Sequence, residues 1–122
     1  MNSKMRNNVW GQSLVLNLYQ CNSETIKDRK QLEEFCSGLC KRINMKPFGK
    51  PLIKEFGKGK LEGHSLIQFI ETSSITIHVD EFGNRVFIDI FSCKEFDSKI
   101  AEKFAKVFFN AEKSKSKCIF RK

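Results

Sequence analysis

Residues 65–91 read SLIQFIETSSITIHVDEFGNRVFIDIF, three segments rich in Ile, Val and Phe with polar breaks between them. Residues of this kind favour β-structure, and they predict strands at Ser65–Ile70, Ile75–Val79 and Val86–Phe91. The break at 80–84 contains Gly and Asn, which suit a turn between the last two strands. The centre of the chain is therefore expected to form a β-sheet.

Upstream of this region, the segment Ser13–Tyr19 is rich in strand formers and stops at a polar turn, so it predicts a first strand. Between Ile26 and Ile43, apolar residues recur at three- and four-residue steps, which predicts one amphipathic helix. Leu52–Phe56 predicts a further strand. The glycines and lysines of residues 57–63 then indicate a flexible loop.

Downstream, apolar residues from Phe96 to Ala111 again recur at helical spacing and predict a second helix, before a short strand at Cys118–Phe120. The expected fold is an α+β two-layer sandwich, a mostly antiparallel sheet with two helices on one face. Apolar residues point to both sides of the strand Val86–Phe91, so the other face is expected to pack on a second subunit. A homodimer is predicted.

The composition restricts the class of protein. The 122 residues, 40% of them hydrophobic, suffice for one core, so a single domain over residues 1–122 is expected. No apolar run approaches the roughly 20 residues of a membrane span, which predicts a cytoplasmic protein with no membrane partner. Five cysteines without a repeated pair spacing indicate reduced thiols. The net charge of +8 permits nucleic-acid binding, but the lysines are dispersed, which disfavours it.

The segment Glu71-Thr72-Ser73-Ser74 is a polar interruption between two apolar strands, and His78 follows five residues after Ser73. A serine hydroxyl bent into a turn can attack the preceding carbonyl while an imidazole moves protons. The same residues are also typical of a plain hairpin turn with a histidine near the strand end. Spacing alone leaves both interpretations open.

A wider set of motifs is more specific. The motifs Gly63-His64-Ser65, Glu71-Thr72-Ser73, Ile77-His78 and the segment 88–93, IDIFSC, occur in this order, and they align without a gap to the motifs of one known family when the histidines are superposed. Together they resemble the short, prokaryotic type of S-adenosylmethionine decarboxylase proenzyme, in which Gly-x-Ser, Glu-Ser-His, Ile-His and Asp-Val-Phe-Thr-Cys recur at the same separations. Residues 16–21, LNLYQC, look like the first strand of that family, so the resemblance covers nearly the whole chain.

The resemblance implies a role for each matched residue. Ser73 would attack the Thr72 carbonyl, with Ser65 and His78 assisting, and cleavage would leave a β chain of residues 1–72 and an α chain of residues 73–122. The cofactor would be a pyruvoyl group generated from Ser73, which takes up the substrate amine and accepts electrons as carbon dioxide leaves. Cys93 would be the proton donor to the substrate. The implied reaction converts S-adenosylmethionine to its decarboxylated form for polyamine synthesis.

The chain departs from the family pattern near the substrate. Thr72-Ser73-Ser74 stands where the family has Glu-Ser-His, and Val79-Asp80-Glu81-Phe82 replaces Thr-Trp-Pro-Glu, whose acidic residue helps hold the nucleoside. Phe56 resembles the ring that stacks on adenine, although about three extra residues separate it from Ser65 in this register. Phe56, Glu71, Asp80 and Glu81 are therefore the candidate substrate-binding residues.

Two alternatives follow from these departures. The same pyruvoyl cofactor could act on L-ornithine or L-arginine, as in some relatives of the family, with Glu71, Asp80 or Glu81 meeting the distal cation. A non-enzymatic, basic nucleic-acid-binding module is the second alternative. No metal is predicted, because Cys36 and Cys40 lie one helical turn apart on an apolar face, where core packing is the simpler role.

Overall fold

The computed structural model describes residues 8–122. The helices of this part of the chain are α1 (Ser23–Lys27), α2 (Arg29–Arg42) and α3 (Ser98–Phe108). Its strands are β1 (Gly11–Tyr19), β2 (Leu52–Phe56), β3 (Gly63–Ile70), β4 (Ser73–Asp80), β5 (Arg85–Ser92) and β6 (Lys113–Arg121). Among the described residues, no helix is both long enough and apolar enough to cross a membrane.

The strands form one six-stranded sheet in the order β2-β3-β4-β5-β1-β6. Each neighbouring pair is antiparallel, so the predicted mostly antiparallel sheet is wholly antiparallel in the described residues. The predicted α+β sandwich is confirmed. The central strands β3, β4 and β5 are joined by short turns, as the alternation of apolar segments and polar breaks predicted.

One face of the sheet packs under the helices and forms the core. Alternate residues of β1, β4 and β5 point to this face, and each is at most 5% exposed: Leu14, Leu16, Leu18, Ile75, Ile77, Val79, Val86, Ile88 and Ile90. Helix α2 contributes Leu32, Phe35, Cys36, Leu39 and Cys40 to the same core. The rings of Phe104, Phe108 and Phe109 pack around Phe35, with centroids 5.7, 5.3 and 4.7 Å from it.

The opposite, open face of the sheet carries large apolar side chains in contact with solvent. Val15, Ile67, Phe69 and Ile119 point to this face and are 40–54% exposed. An apolar sheet face of this kind is typical of a surface that meets another molecule.

The single helix predicted over 26–43 is wrong, because the segment contains two helices. Asp28 ends α1 and begins α2, where its carboxylate accepts hydrogen bonds from the backbone N–H groups of Lys30 and Gln31. Asn22 caps the start of α1 in the same way. Asp and Asn are preferred N-cap residues, so the break has a local cause that apolar periodicity does not reveal.

The last strand is longer than the predicted Cys118–Phe120, since β6 runs from Lys113 to Arg121 and pairs with β1 along its whole length. Its first half alternates Lys and Ser, which carries no apolar signal. The strand forms at the sheet edge, where Ser114 and Ser116 each donate a hydrogen bond of 2.6 Å to the Glu102 carboxylate on α3. Edge strands rich in lysine are common because they discourage edge-to-edge association.

Candidate active site

The turn between β3 and β4 contains the peptide bond predicted for cleavage. Ile70 pairs with Ser73, so Glu71 and Thr72 form the turn itself. Thr72 has φ = 59°, in the left-handed region. For an L-residue this conformation costs about 1–2 kcal/mol, and it is rare for a β-branched side chain. A strained residue therefore directly precedes Ser73.

Ser73 is the first residue of β4 and points to the helix-covered face. Its Oγ donates a hydrogen bond of 3.0 Å to Oγ of Ser92, its pairing partner on β5. Ser92 is fully buried and also accepts a hydrogen bond of 2.9 Å from the backbone N–H of Lys94. The Ser73 hydroxyl is thus oriented by a buried partner at the strand end.

Cys93 follows β5 and meets the same turn. Its Sγ lies 2.6 Å from Oγ1 of Thr72, which also donates a hydrogen bond to the carbonyl of Glu71. A hydroxyl and a thiol can each donate or accept in such a contact. The structure therefore holds the Cys93 thiol beside the Thr72–Ser73 bond.

A recess of about 280 Å³ opens at this end of the sheet. It is lined by Met45, Lys46, Ile70, Glu71, Thr72, Ser73, Cys93 and Lys94. Lys46 and Lys94 supply positive charge to its wall, and Glu71 supplies a carboxylate. The recess thus brings a hydroxyl, a thiol and both signs of charge together at one strand end.

Ser65 and His78 form a second group, because they pair across β3 and β4. The Ser65 Oγ and the His78 Nδ1 lie 3.0 Å apart on the open face of the sheet. His78 is five residues from Ser73 along β4, a rise of about 16 Å, and an odd separation turns the two side chains to opposite faces. Within one chain, the structure does not bring Ser65 and His78 to Ser73.

Asp80 is engaged by a cation at the other end of β4. The Arg85 Nε and Nη2 atoms lie 2.7 and 2.6 Å from Oδ2 of Asp80. Burial alone would raise the pKa of Asp80, but the hydrogen bonds from Arg85 and from the Gly83 backbone N–H outweigh it, so the pKa is lowered. Asp80 is therefore an ionised, paired carboxylate.

The other predicted substrate-binding residues are divided between the two ends of the sheet. Glu81 lies at the Asp80 end, where its Oε2 is 2.9 Å from Nδ1 of the buried His64. Phe56 is also at that end, where it pairs with Gly63 and is 57% exposed. Of the four candidates, Glu71 alone lines the recess beside Ser73.

The model of the family described as S-adenosylmethionine decarboxylase matches residues 12–122. The chain belongs to this family. The S-adenosylmethionine decarboxylase proenzyme of Sulfurisphaera tokodaii is 35% identical to it over 85 residues, which is 70% of this chain and, at 66%, just under two thirds of that relative. The same-named protein of Clostridium botulinum strain Langeland is 31% identical over 90 residues, 73% of this chain and 74% of the relative.

The fold agrees with the S-adenosylmethionine decarboxylase family. The crystal structure of the adenosylmethionine decarboxylase from Aquifex aeolicus superposes with a TM-score of 0.77, at 17% identity, and covers 93% of this chain and 91% of that chain. The family resemblance indicated by the spaced motifs is thus confirmed.

Two contacts at the strand end of this S-adenosylmethionine decarboxylase family member were not predicted from the sequence. The Ser73–Ser92 hydrogen bond joins residues 19 apart, and the Thr72–Cys93 contact joins residues 21 apart. Ser92 did carry a signal, because it stands in the matched segment IDIFSC directly before Cys93. No feature of the sequence indicated the contact between Thr72 and Cys93, since it depends on a backbone conformation that is unusual for threonine.

Proposed function

We propose that this protein is a self-processing, pyruvoyl-dependent S-adenosylmethionine decarboxylase. The observation that carries the proposal is the meeting of three groups at one strand end. Thr72 is in a left-handed conformation, Ser73 follows it, and the Cys93 thiol lies 2.6 Å from the Thr72 hydroxyl. These are the residues that cleavage and a later proton transfer require, and they line one recess.

The cleavage follows from the chemistry of Ser73. Attack of its Oγ on the Thr72 carbonyl carbon breaks the amide C–N bond and forms an ester. Loss of the Ser73 Cα proton then breaks the Cβ–Oγ bond and releases residues 1–72 with a Thr72 carboxylate. Water takes the place of the remaining α-nitrogen, which leaves as ammonia. Residue 73 thereby becomes a ketone at the start of the α chain.

The recess fits a pyruvoyl group, since residue 73 begins a strand at its wall and the Cys93 thiol stands nearby. The pyruvoyl ketone supplies an acceptor for the electrons released when the substrate's carboxylate is lost as carbon dioxide. Cys93 is the proposed donor that returns a proton to the substrate carbon. In the uncleaved chain its Sγ contacts the Thr72 hydroxyl, and cleavage frees it from that residue's fixed position.

Ser65 and His78 are proposed to act from a second copy of the chain. They are too far from Ser73 in their own chain, and they lie on the open face among exposed apolar residues. If two sheets pack by their open faces, the Ser65–His78 pair of one copy can approach the strand end of the other. A homodimer of processed protomers therefore accounts for both the apolar face and the separated residues.

S-adenosylmethionine is the proposed substrate because the curated relatives carry the name of that decarboxylase. Of the carboxylates that could meet the distal cation of ornithine or arginine, Asp80 is bonded to Arg85 and Glu81 lies against His64. This leaves Glu71 in the recess as the carboxylate that the substrate assay must test. We also propose a cytoplasmic location and a place in polyamine synthesis, since the reaction relies on a reduced thiol and yields an aminopropyl donor.

Intact mass spectrometry of the purified protein, beside a Ser73→Ala variant, tests the proposal. The expected result is two fragments divided at Thr72/Ser73, the second with a pyruvoyl terminus, and one uncut chain for the variant. Release of carbon dioxide is then measured from S-adenosylmethionine, ornithine and arginine in parallel. An uncut wild-type chain after long incubation would overturn the proposal, and release from ornithine or arginine alone would overturn the choice of substrate.

The dimer is tested by mixing two uncleaved variants, Ser73→Ala and His78→Ala, after unfolding and refolding them together. Each variant alone should remain uncut or cleave slowly. In the mixed dimer, the intact Ser73 of one copy meets the intact His78 of the other, so cleavage of the His78→Ala chain should recover. Absence of recovery, with mixed dimers demonstrated by native mass spectrometry, would contradict the role of the second copy.

A further inference from the structure

Three side chains that can coordinate a metal ion lie together at the end of the sheet remote from Ser73, on its helix-covered face. Glu55 on β2 is the pairing partner of His64 on β3, and Glu81 directly follows β4. Nδ1 of His64 lies 2.9 Å from Oε2 of Glu81, and its Nε2 lies 3.8 Å from Oε2 of Glu55. One ligand atom from each residue can be chosen so that all three lie within 4.8 Å of one another.

The pair His64–Glu81 is buried and incompletely satisfied. The His64 side chain is 7% exposed and the Glu81 side chain 10%. At 2.9 Å their facing atoms are close, yet they are not aligned for a hydrogen bond, and neither atom has another hydrogen-bond partner among residues 8–122. Buried polar atoms nearly always have a hydrogen-bond partner or a ligand, so these two atoms indicate a bound group between or beside them. The proposed cleavage and decarboxylation use neither residue.

The donor set matches a small divalent cation of borderline softness. One neutral imidazole and two carboxylates carry a net charge of −2, and nitrogen with carboxylate oxygen suits Zn²⁺ or Co²⁺ better than Ca²⁺, Mg²⁺ or Mn²⁺, which prefer oxygen ligands. Two ligand atoms 2.9 Å apart subtend an angle of about 90° at an ion that is about 2.1 Å from both, the usual bond length to Zn²⁺. Glu55 is 64% exposed, so its carboxylate can turn toward the ion.

We propose that Glu55, His64 and Glu81 bind a divalent transition-metal ion, with water completing its coordination. The ion links β2, β3 and the residue after β4, which stabilises the edge of the sheet. Ser65 is the next residue after His64 and points to the opposite face, so the ion also supports β3, the strand that carries Ser65. Binding is a property of the folded chain and does not depend on cleavage at Ser73.

The test uses chain without a histidine tag, freed of metal with a chelator, and titrated with Co²⁺ or Zn²⁺ by absorbance and calorimetry. It is carried out in a Ser73→Ala background, so that one uncut species is present whether or not the protein is an enzyme. Exposed thiols also capture these ions, and they are removed by the substitutions Cys93→Ser and Cys118→Ser. The expected result is one ion per chain, with the absorbance of a nitrogen and oxygen site and without the charge-transfer band of a thiolate.

The substitutions His64→Gln and Glu81→Gln should each weaken binding by about tenfold or more, since a direct ligand is worth at least as much as its supporting partners. Glu55→Gln is the decisive variant, because an exposed side chain can be changed without disturbing the core. It should weaken binding while the urea midpoint of the metal-free chain stays unchanged. Glu62→Gln makes the same charge change outside the cluster and should bind as the parent does. Equal binding by all these chains, or no uptake by the parent, would overturn the proposal and leave His64 and the two carboxylates as a contact without a metal.

Discussion

The left-handed conformation of Thr72 gives a prediction that separates backbone strain from side-chain chemistry. Replacing Thr72 by alanine removes the hydroxyl and keeps a Cβ at φ = 59°, whereas replacing it by glycine removes both. The comparison of Thr72→Gly with Thr72→Ala therefore isolates the cost of the Cβ in that conformation. The contact with Cys93 is lost equally in both variants and does not enter the difference.

The magnitude follows from the conformation. An L-residue in the left-handed region costs about 1–2 kcal/mol, while the extra freedom of glycine in the unfolded chain offsets about 0.4–1 kcal/mol of the relief. The uncleaved glycine variant should therefore be more stable than the alanine variant by about 1 kcal/mol. If this strain is released on the way to the ester, the glycine variant should cleave about 5- to 30-fold more slowly, because the full strain of about 1–2 kcal/mol applies within the folded chain and about 1.4 kcal/mol corresponds to a factor of ten.

Stability is measured by urea unfolding with Ser73→Ala added to both variants, so that no cleavage occurs. Cleavage rates are measured separately on chains that retain Ser73, by mass spectrometry of samples stopped at intervals after synthesis. A glycine variant that is less stable than the alanine variant by about 0.4–1 kcal/mol, the cost of glycine's freedom in the unfolded chain, would show that the turn is not strained in the folded chain. A glycine variant that is more stable but cleaves as fast as alanine would show that the strain persists in the transition state, and the reasoning about cleavage would be refuted.

Three further predictions follow from the site. Cys93→Ser should leave cleavage at Ser73 intact but lower decarboxylation by about 10²–10⁴-fold, the usual contribution of a general acid, while Cys118→Ser leaves the rate unchanged in the same carbon dioxide assay. Asp80→Asn should lower the free energy of unfolding at pH 7 by up to about 1 kcal/mol, and this loss should begin to shrink as the pH falls below about 4. The reason is that the pKa of Asp80 is lowered in the folded chain, so its contribution is fully present above the unfolded value and is lost as the pH falls through the folded-state pKa; a loss that is as large at pH 3 as at pH 7 in urea titrations would contradict this. A thiol reagent should modify two cysteines of the native chain and five after unfolding, because burial raises the pKa to about 12 for Cys36 and to about 11 for Cys21 and Cys40; rapid native modification of a third would contradict the buried core.

The two periodicities of the sequence predicted most of the fold. Apolar residues at alternate positions in 65–91 indicated the central strands, and helical spacing indicated α2 and α3, because each pattern reports which side of one element is buried. The alternation of side chains along a strand also contained information about the site. Ser73 and His78 differ by an odd number on one strand, which already places their side chains on opposite faces. The break at Asp28 and the length of β6 were missed because capping and edge pairing leave no apolar periodicity.

What the sequence by itself determined was therefore the class of fold, the family, and the residue types available for chemistry. The tertiary structure alone decided which of these residues meet. Thr72 contacts Cys93, and His64 contacts Glu81, because antiparallel pairing sets residues that are 21 and 17 apart side by side at opposite ends of the sheet. Such contacts depend on strand register and turn conformation, and both are set by the packing of the whole core, which no local pattern contains.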